Sequence, residues 1–560
     1  MGDWGGPDPP LLLFLDRPCH AAPSCPDERH WAIPGLTHLR LAVCALLLAL
    51  VTTAVAEEPR RGGMLTMTLP AEPVSLNSAT DPNNEVALVS TKVLEGLLSY
   101  DLELNPVPRL ATSWLVAPDG RSITFRLRAS VKWHDGAPFT SADVAFSLMQ
   151  VWKVLHPRGR ANFAAVTEVE TPDPLIAVLR LSAPAPALLA ALSAFEAPVL
   201  PKHVYAGAEI AGHPRNVAPI GTGPFRFKDW RRGQAILLER NPDYWDRGKP
   251  HLDGIEFRIV TGGANRASAF ETGEALIGAF NPVPLNEVER LDKLPHLDIE
   301  TRGYETLAPM YVAQLNLRNQ QLADRRVRQA LAHAVDRAAL ARNVWFGFAI
   351  PATGPVPSSQ RQWYEEDVPR YGFDPKRAEQ LLDEAGLPRA PDGKRFKLAL
   401  DYLPLGADHR RTAEFLRQQL ARVGIEAEVR DQDLPSFVRR VYIDGEFDLA
   451  LGYFHALADP TLGVQRLYWS KGAFRDAPFG NASRYASAEM DQVLEAIQTE
   501  REPLRRRALI GRMQRLAQED LPVLDLFELK FFTLFNRRVR NHMVDAEGPC
   551  GNFAETWLAR

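Results

Sequence analysis

Cysteine is nearly absent from this chain: four residues in 560, of which Cys19, Cys25 and Cys44 fall within the first 56 positions. Only Cys550 lies beyond them. A single thiol can neither close an internal disulfide nor furnish a cysteine-based zinc site. A surplus of one charge is lacking too. Lysine and arginine number 65 against 69 acidic residues, a formal net charge of −4. That balance excludes a strongly basic nucleic-acid binder. The triplet Arg505-Arg506-Arg507 follows Glu500 and Glu502 in a helical pattern and reads as a solvated helix face. There is no G-x-S-x-G elbow, no H-E-x-x-H helix, no P-loop and, beyond the leader, no Cys-x-x-Cys pair. The commonest signatures of an exported hydrolase are therefore missing, although a dispersed Ser/His/Asp site stays open.

Long apolar runs are also scarce. The one membrane-like stretch is Leu39 to Ala56, LRLAVCALLLALVTTAVA, shorter in its apolar core than the roughly 20 residues of a spanning helix. Arg40 precedes the run and Ala54-Val55-Ala56 ends it, so it reads as a secretory signal peptide cleaved after Ala56, with the mature protein in the periplasm. Cys44 lies mid-run behind Val43, which disfavours a lipoprotein signal. Residues 1–35 are proline-rich and carry Asp27-Glu28, unlike a signal-peptide n-region; they suggest a start assigned too far upstream.

What is present is alternation of strand and helix on a scale that suits two or three domains. Ile220 to Trp245, IGTGPFRFKDWRRGQAILLERNPDYW, predicts a hairpin. Glycines flank Thr222, a strand carries Phe225 and Phe227, a polar turn follows at Arg231–Gln234, and Ala235 to Arg240 returns as the second strand. Met64 to Leu69 alternates as a strand, Val86 to Leu98 has helical spacing, and Thr140 or Ser141 is placed to cap a helix. His134 and Asp135, alone at a strand-to-turn boundary, read as turn-holding residues more than as a metal or catalytic pair. Farther on, Asp324 to Trp345 predicts a long amphipathic helix burying Val327, Leu331, Val335 and Leu340. Asp374-Pro375 caps a helix ending near Gly386, and Arg410 to Val423 predicts another before a strand at Ile425 to Arg430. Phe447 to Tyr453 reads as a buried strand, and Leu521 to Phe535 as a strand returning to the first half. Strands separated by helices argue for an α/β architecture with a buried sheet, and a first crossing is expected at Val260–Gly263.

The wording of these stretches resembles the peptide/nickel-type extracellular solute-binding proteins (family 5) of ABC importers. GTGPF…ERNPDYW, VLEGLLSYD, LNPVPRLATSW, VKWHDGAPFTSADVAFSLMQ, VRQALAHAVDR, YGFDPKRAEQLLDEAGL, LARVGIEAEV and FDLALGYF…DP occur in the family's order. Together they cover the chain from Leu65 to about Val523. The resemblance implies a two-lobed periplasmic-binding-protein type II fold with an extra subdomain in the first lobe. Residues 57–262 would form lobe 1, including the insert at about 100–215; 263–523 would form lobe 2; and 524–560 would return to lobe 1. It implies capture of a solute, delivery to inner-membrane permease subunits, no catalysis and no cofactor. We also expect a monomer with no nucleic-acid partner.

The ligand is less legible. Peptide binders of this type place an aspartate four residues before the proline of the Asp-Pro pair, where a carboxylate holds the peptide ammonium; here that position is Ala456. A second acidic position falls at Pro82. Asp81, Asn83, Asn84, Glu85 and Asp459 stand near enough to substitute. Phe454 occupies the place of the tryptophan that packs on the chelator in nickel-binding relatives, while the chelator-binding arginine has no match in Ala194–Ala197. Glu196 in that segment either faces the cleft, favouring a cationic or hydroxyl-bearing solute, or is a surface carboxylate. His455 is a contact or polar filling. Tyr453, Phe454, Tyr468 and Trp469 either line the cleft or belong to the second lobe's core. No convergence of His, Cys and carboxylates suggests direct metal binding.

Overall fold

A seven-stranded sheet grows on both sides of strand Met64–Leu69, which pairs parallel with Gly254–Ile259 and with Ile277–Gly278. Leu65, Met67 and Leu69 are wholly buried and Thr68 nearly so, because helices and neighbouring segments cover both faces. This computed structural model describes residues 57–472 and 479–560. The signal peptide at Leu39–Ala56 and its cleavage site, with Cys19, Cys25 and Cys44, lie outside the described residues. Pro59–Arg560 forms one unit and is described by itself.

The hairpin expected at Ile220–Trp245 forms one edge of this sheet. Phe225–Arg231 and Ala235–Arg240 pair antiparallel, with Trp230 opposite Ile236 and an irregularity between Phe227 and Asp229. Its flanks reach inward. The Thr222 hydroxyl, the Tyr244 hydroxyl and the Trp245 indole N–H all donate to the buried Glu95 carboxylate, at 3.0, 2.8 and 2.9 Å. The two glycines serve a close approach more than a sharp turn. A Cβ at Gly221 would stand 1.7 Å from the Val93 carbonyl oxygen, and one at Gly223 2.6 Å from that of Lys92. His134 braces the same place: Nδ1 accepts the Gly221 N–H at 3.2 Å, so Nε2 carries the proton and donates to the Gly223 carbonyl at 3.0 Å. Burial lowers its pKa to about 4, and it stays neutral in that role.

A separate four-stranded antiparallel sheet, Ala111–Val116, Ser122–Leu127, Ile176–Leu181 and Val166–Asp173, occupies part of the stretch assigned to the insert. Thr140 is the N-cap of helix Ser141–Phe146, its N–H donating to Asp143 Oδ2 at 2.8 Å.

The second lobe carries a six-stranded sheet in the order Ala349–Pro351, Val523–Leu529, Pro309–Leu315, Leu449–His455, Phe396–Tyr402, Ile425–Arg430. Pro309–Leu315, buried along its whole length, runs antiparallel to both neighbours, while Phe396–Tyr402 is parallel to its own. The long helix expected over Asp324–Trp345 is two. Arg325–Ala334 stops where Val335 turns extended, and Arg337–Asn343 restarts behind Asp336, whose side chain accepts the Ala339 N–H at 2.8 Å. The four expected residues are still buried. Asp374 caps Pro375–Glu384 as its sequence suggests.

Sheet membership moves the crossings. Ile277–Gly278 and Leu297–Glu300 both belong to the first sheet, so the chain leaves it between Glu300 and Pro309, not at Val260–Gly263. Val523–Leu529 pairs within the second sheet, and Thr533–Asn536 in the first, so the return runs between Leu529 and Thr533, not from 524. Strands of two and four residues carry no readable periodicity, and Val523–Leu529 is buried on both faces, which erases alternation.

Candidate functional site

Both crossings bring aromatic residues to one place. Phe531, in the return crossing, sets its ring edge-on to Tyr304 of the outward crossing at 5.7 Å between centroids. It also meets Tyr453 at 5.9 Å and His455 at 6.4 Å, each at 90°. Tyr453 and His455 lie two residues apart on strand Leu449–His455, so the pleat puts them on one face, with rings 5.7 Å apart. Phe454 falls between them and faces the other way, buried in the second lobe beside a water-sized cavity of about 10 Å³ that Gln314 and Tyr442 also line.

Charged groups from both lobes gather around this wall. Glu196 of the first lobe is buried, and Arg158 grips it with two prongs, one at 3.0 Å and one at 2.5 Å. Burial alone would raise the Glu196 pKa, but the Arg158 guanidinium outweighs it and holds the carboxyl below its usual range. His455 of the second lobe feels this pair. Burial first, then the positive charges of Arg158 and Arg466, push its pKa down to about 3, leaving it neutral. Arg466 lies with its guanidinium carbon 6.0 Å from the Phe454 ring centroid, its pKa pushed down to about 10 by burial first and then by Arg158. At the Tyr453 end stands Glu85, whose charge helps raise the Tyr453 hydroxyl to about 12, after burial. Burial raises the pKa of both Glu85 and Asp81, and Asp81 raises that of Glu85 further.

The expected site residues thus divide. Tyr453 and His455 stand on the wall, Glu196 acts electrostatically on His455, Glu85 on Tyr453, and Asp81 on Glu85. Asn83, the exposed N-cap of helix Asn84–Val93, and the half-buried Asn84 stand at the helix start beside Glu85. Asp459 is committed elsewhere: it caps helix Pro460–Gly463 and receives both terminal nitrogens of Arg506 at 2.7 and 2.9 Å. Arg506 itself is buried, unlike its exposed neighbours Arg505 and Arg507, so the triplet is not wholly a solvated face. Tyr468 is a core residue, fully buried against Tyr485, and Trp469 packs on the edge of that same core. Arg158, Arg466, Tyr304 and Phe531 escaped the sequence reading; the crowding of arginine in HPRGR marks Arg158 and that of aromatics in LKFFTLF marks Phe531, while Tyr304 and Arg466 carry no such signal. Among the described residues no group of three or more His, Cys, Asp or Glu could hold a metal ion, and no helix is long and apolar enough to cross a membrane.

A site of this kind, buried groups from two lobes meeting where the chain crosses twice, suits capture of a small molecule by closure. The sequence profile of the bacterial extracellular solute-binding proteins, family 5 (middle region), matches residues 105–476. The chain belongs to that family. It is accordingly a solute-binding protein and not an enzyme, with the two-lobed type II periplasmic-binding-protein fold. A glutathione-binding protein, GsiB, of Shigella flexneri serotype 5b (strain 8401) is 30% identical over 373 residues, covering 66% of this chain and 69% of the relative. Among solved structures, DppA of Helicobacter pylori in complex with the peptide STSA superposes with a TM-score of 0.76 at 25% identity, over 90% of this chain and 99% of that one. NikZ of Campylobacter jejuni, in complex with Ni(L-His), gives 0.76 at 24% identity over 88% and 97%, a likeness of fold.

Proposed function

We propose that this family 5 protein is the periplasmic receptor of an ABC importer, taking a small peptide-like solute between its lobes and presenting it to the inner-membrane permease. The observation that carries the reading is the meeting of Arg158–Glu196 from the first lobe with His455 and Arg466 from the second, against the Tyr453–His455–Phe531 wall. The names of the relatives support the class of solute: one is a glutathione-binding protein and one holds a peptide. The solute-facing set comprises Asp81, Glu85, Glu196, Tyr453 and His455, with Arg158, Arg466 and Phe531 added and Asn83 and Asn84 beside it. Export uses the signal peptide ending at Ala56, and the mature protein acts as a monomer.

Thermal melting against a panel of di- and tripeptides, glutathione, amines, sugars and metal–amino-acid chelates tests this directly. A ligand binding only the closed native form at a hundred times its Kd stabilises it by about 2.7 kcal/mol. We expect a clear rise in Tm with at least one peptide-like compound. A rise confined to the metal chelates would shift the solute class, and no rise with any compound would overturn the receptor reading.

A further inference from the structure

The segment Asp545–Cys550 packs against the outward crossing and touches it twice. The Thr306 hydroxyl donates to the Ala546 carbonyl at 3.0 Å. Gly303 and Gly548 meet backbone to backbone: a Cβ on Gly303 would stand 2.7 Å from the Gly548 Cα. Thr306 is also where the chain changes hands. The carbonyls of the next two residues, Leu307 and Ala308, accept the N–H groups of Leu457 and Ala456 of the second lobe, each at 3.1 Å. The segment thus braces the crossing from the first-lobe side at the step where the chain passes between lobes, the kind of step that turns in hinge closure.

Two buried carboxylates hold this brace, with one buried serine between them. Ser99 Oγ lies 3.4 Å from Asp545 Oδ2 and in hydrogen-bond contact with Glu547 Oε2. A hydroxyl has one hydrogen and can donate to only one of the two. Asp545 is the better-supported anion: Arg109 reaches its Oδ2 at 3.0 Å, and the Glu547 and Gly548 N–H groups donate to its Oδ1 at 3.1 and 3.2 Å. Glu547 has no such support. Among the described residues no ion pair reaches it, and its Oε1 is buried without a hydrogen-bond partner. Lys92 spends its ammonium on the Pro549 carbonyl at 2.7 Å, the Thr91 hydroxyl at 3.1 Å and the face of Phe553. Tyr100 and Cys550, the other titratable groups around Glu547, bring no positive charge. The hydrogens balance when Glu547 keeps its own proton, its O–H donating to Ser99 and Ser99 donating to Asp545. Burial, then the Asp545 charge, raise the Glu547 pKa to about 8, in the same direction.

Resting on the receptor reading above, we infer that Glu547 is a proton-dependent latch on the outward crossing: protonated, it holds the Asp545–Gly548 turn that supports Thr306, and ionised, it loosens the crossing and weakens solute capture. Ionisation sets a second buried negative charge beside Asp545 and leaves one carboxylate oxygen unpaired. The Ala546 carbonyl sits between the two carboxylates and passes the disturbance to Thr306. For stability the sign follows from linkage. The native state keeps a proton that the unfolded chain, with its carboxyl at 4.5, has already lost, so the contribution declines as the pH rises from 4.5 to about 8 and is level above.

The test uses the full mature protein as wild type, Glu547→Gln and Thr306→Val, melted without ligand from about pH 5 to about pH 9 and titrated calorimetrically with di- and tripeptides at about pH 6.5 and about pH 9. A peptide's own amine titrates in that range, so the comparison between proteins carries the result. The Tm of Glu547→Gln relative to wild type should rise between about pH 5 and about pH 8, while Thr306→Val keeps the wild-type pH profile. The loss of peptide affinity from about pH 6.5 to about pH 9 should be at least threefold larger in wild type than in either variant. Parallel melting profiles for wild type and Glu547→Gln would overturn the latch. An equal loss of affinity in wild type and Thr306→Val would overturn its coupling to capture, and that comparison stands even if Glu547→Gln does not fold. Failure of every peptide to bind at either pH would strike the receptor reading, and the coupling with it, while the ligand-free melting still decides whether Glu547 holds the proton.

Discussion

Two buried arginine–carboxylate pairs behave differently in their roles. Arg506 and Asp459 are each about 5% exposed and join the Asp-Pro turn to helix Pro503–Asp520, far from any need for a solute. Removing the cation would leave Asp459 buried and uncompensated, so Arg506→Met should cost about 3–5 kcal/mol of unfolding free energy. Arg505→Met beside it should change stability by less than about 0.5 kcal/mol. Urea denaturation of the two variants checks both values. Arg158–Glu196 has similar geometry but borders the solute wall, so Glu196→Gln should weaken ligand binding as well as the fold. Titration and denaturation of that single variant separate the two losses. None of this pairing was legible in the sequence. Asp459 beside a proline and Arg506 within an arginine triplet look like a solute contact and a solvated face, and only the fold puts residues 47 positions apart in contact.

Among elements, the hairpin Phe225–Arg240 and its flanks show how much a pattern can reveal. Alternation and turn residues announced the two strands, but the reason for GTG lay in a partner element. Gly221 and Gly223 exist because the segment passes over the last carbonyls of helix Asn84–Val93. Gly221→Ala should therefore destabilise by about 1–3 kcal/mol or more, as overpacking does, despite the good intrinsic tolerance of alanine. Chemical denaturation measures it, and a neutral effect would contradict the close approach. Caps were readable where a short polar side chain met a proline or a helical run, as at Asp374 and Thr140. The break at Asp336 was not: Val327, Leu331, Val335 and Leu340 keep one buried stripe across two helices, so periodicity continues through the interruption. Short strands such as Ile277–Gly278 hid for the opposite reason, having too few residues to show any period.

For the molecule as a whole, five histidines, His134, His156, His409, His455 and His542, are buried and neutral, with pKa values lowered to about 4, or about 3 for His455, chiefly by burial. Their folded pKa values lie below the unfolded value of 6.5, so their contribution is fully present above pH 6.5. It is lost as the pH falls toward 4, because the unfolded chain binds protons that the native state refuses. Each such group costs about 1.4 kcal/mol per pH unit across that window. Buried Asp525 and Glu547, whose pKa values burial raises to about 7 and about 8, act in the opposite sense over this window. The test is therefore a comparison: between pH 6.5 and 4 the pH slope of stability in His134→Gln should differ from that of wild type by up to one proton, and an identical slope would contradict the burial of His134. The family and the two-lobed architecture were legible because the quoted stretches are spread along nearly the whole chain. The lobe boundaries and the proposed solute wall were not, because the proposed wall draws on Asp81, Glu85, Arg158, Glu196, Tyr453, His455, Arg466 and Phe531, which stand far apart in the chain. Its role is the central claim. The deciding measurement is calorimetric titration of the most stabilising solute into wild type, Tyr453→Ala and His455→Ala. One site per chain, weakened at least tenfold in both variants while their ligand-free melting stays cooperative, is the expected result; unchanged affinity in both would place the solute elsewhere and contradict the assignment.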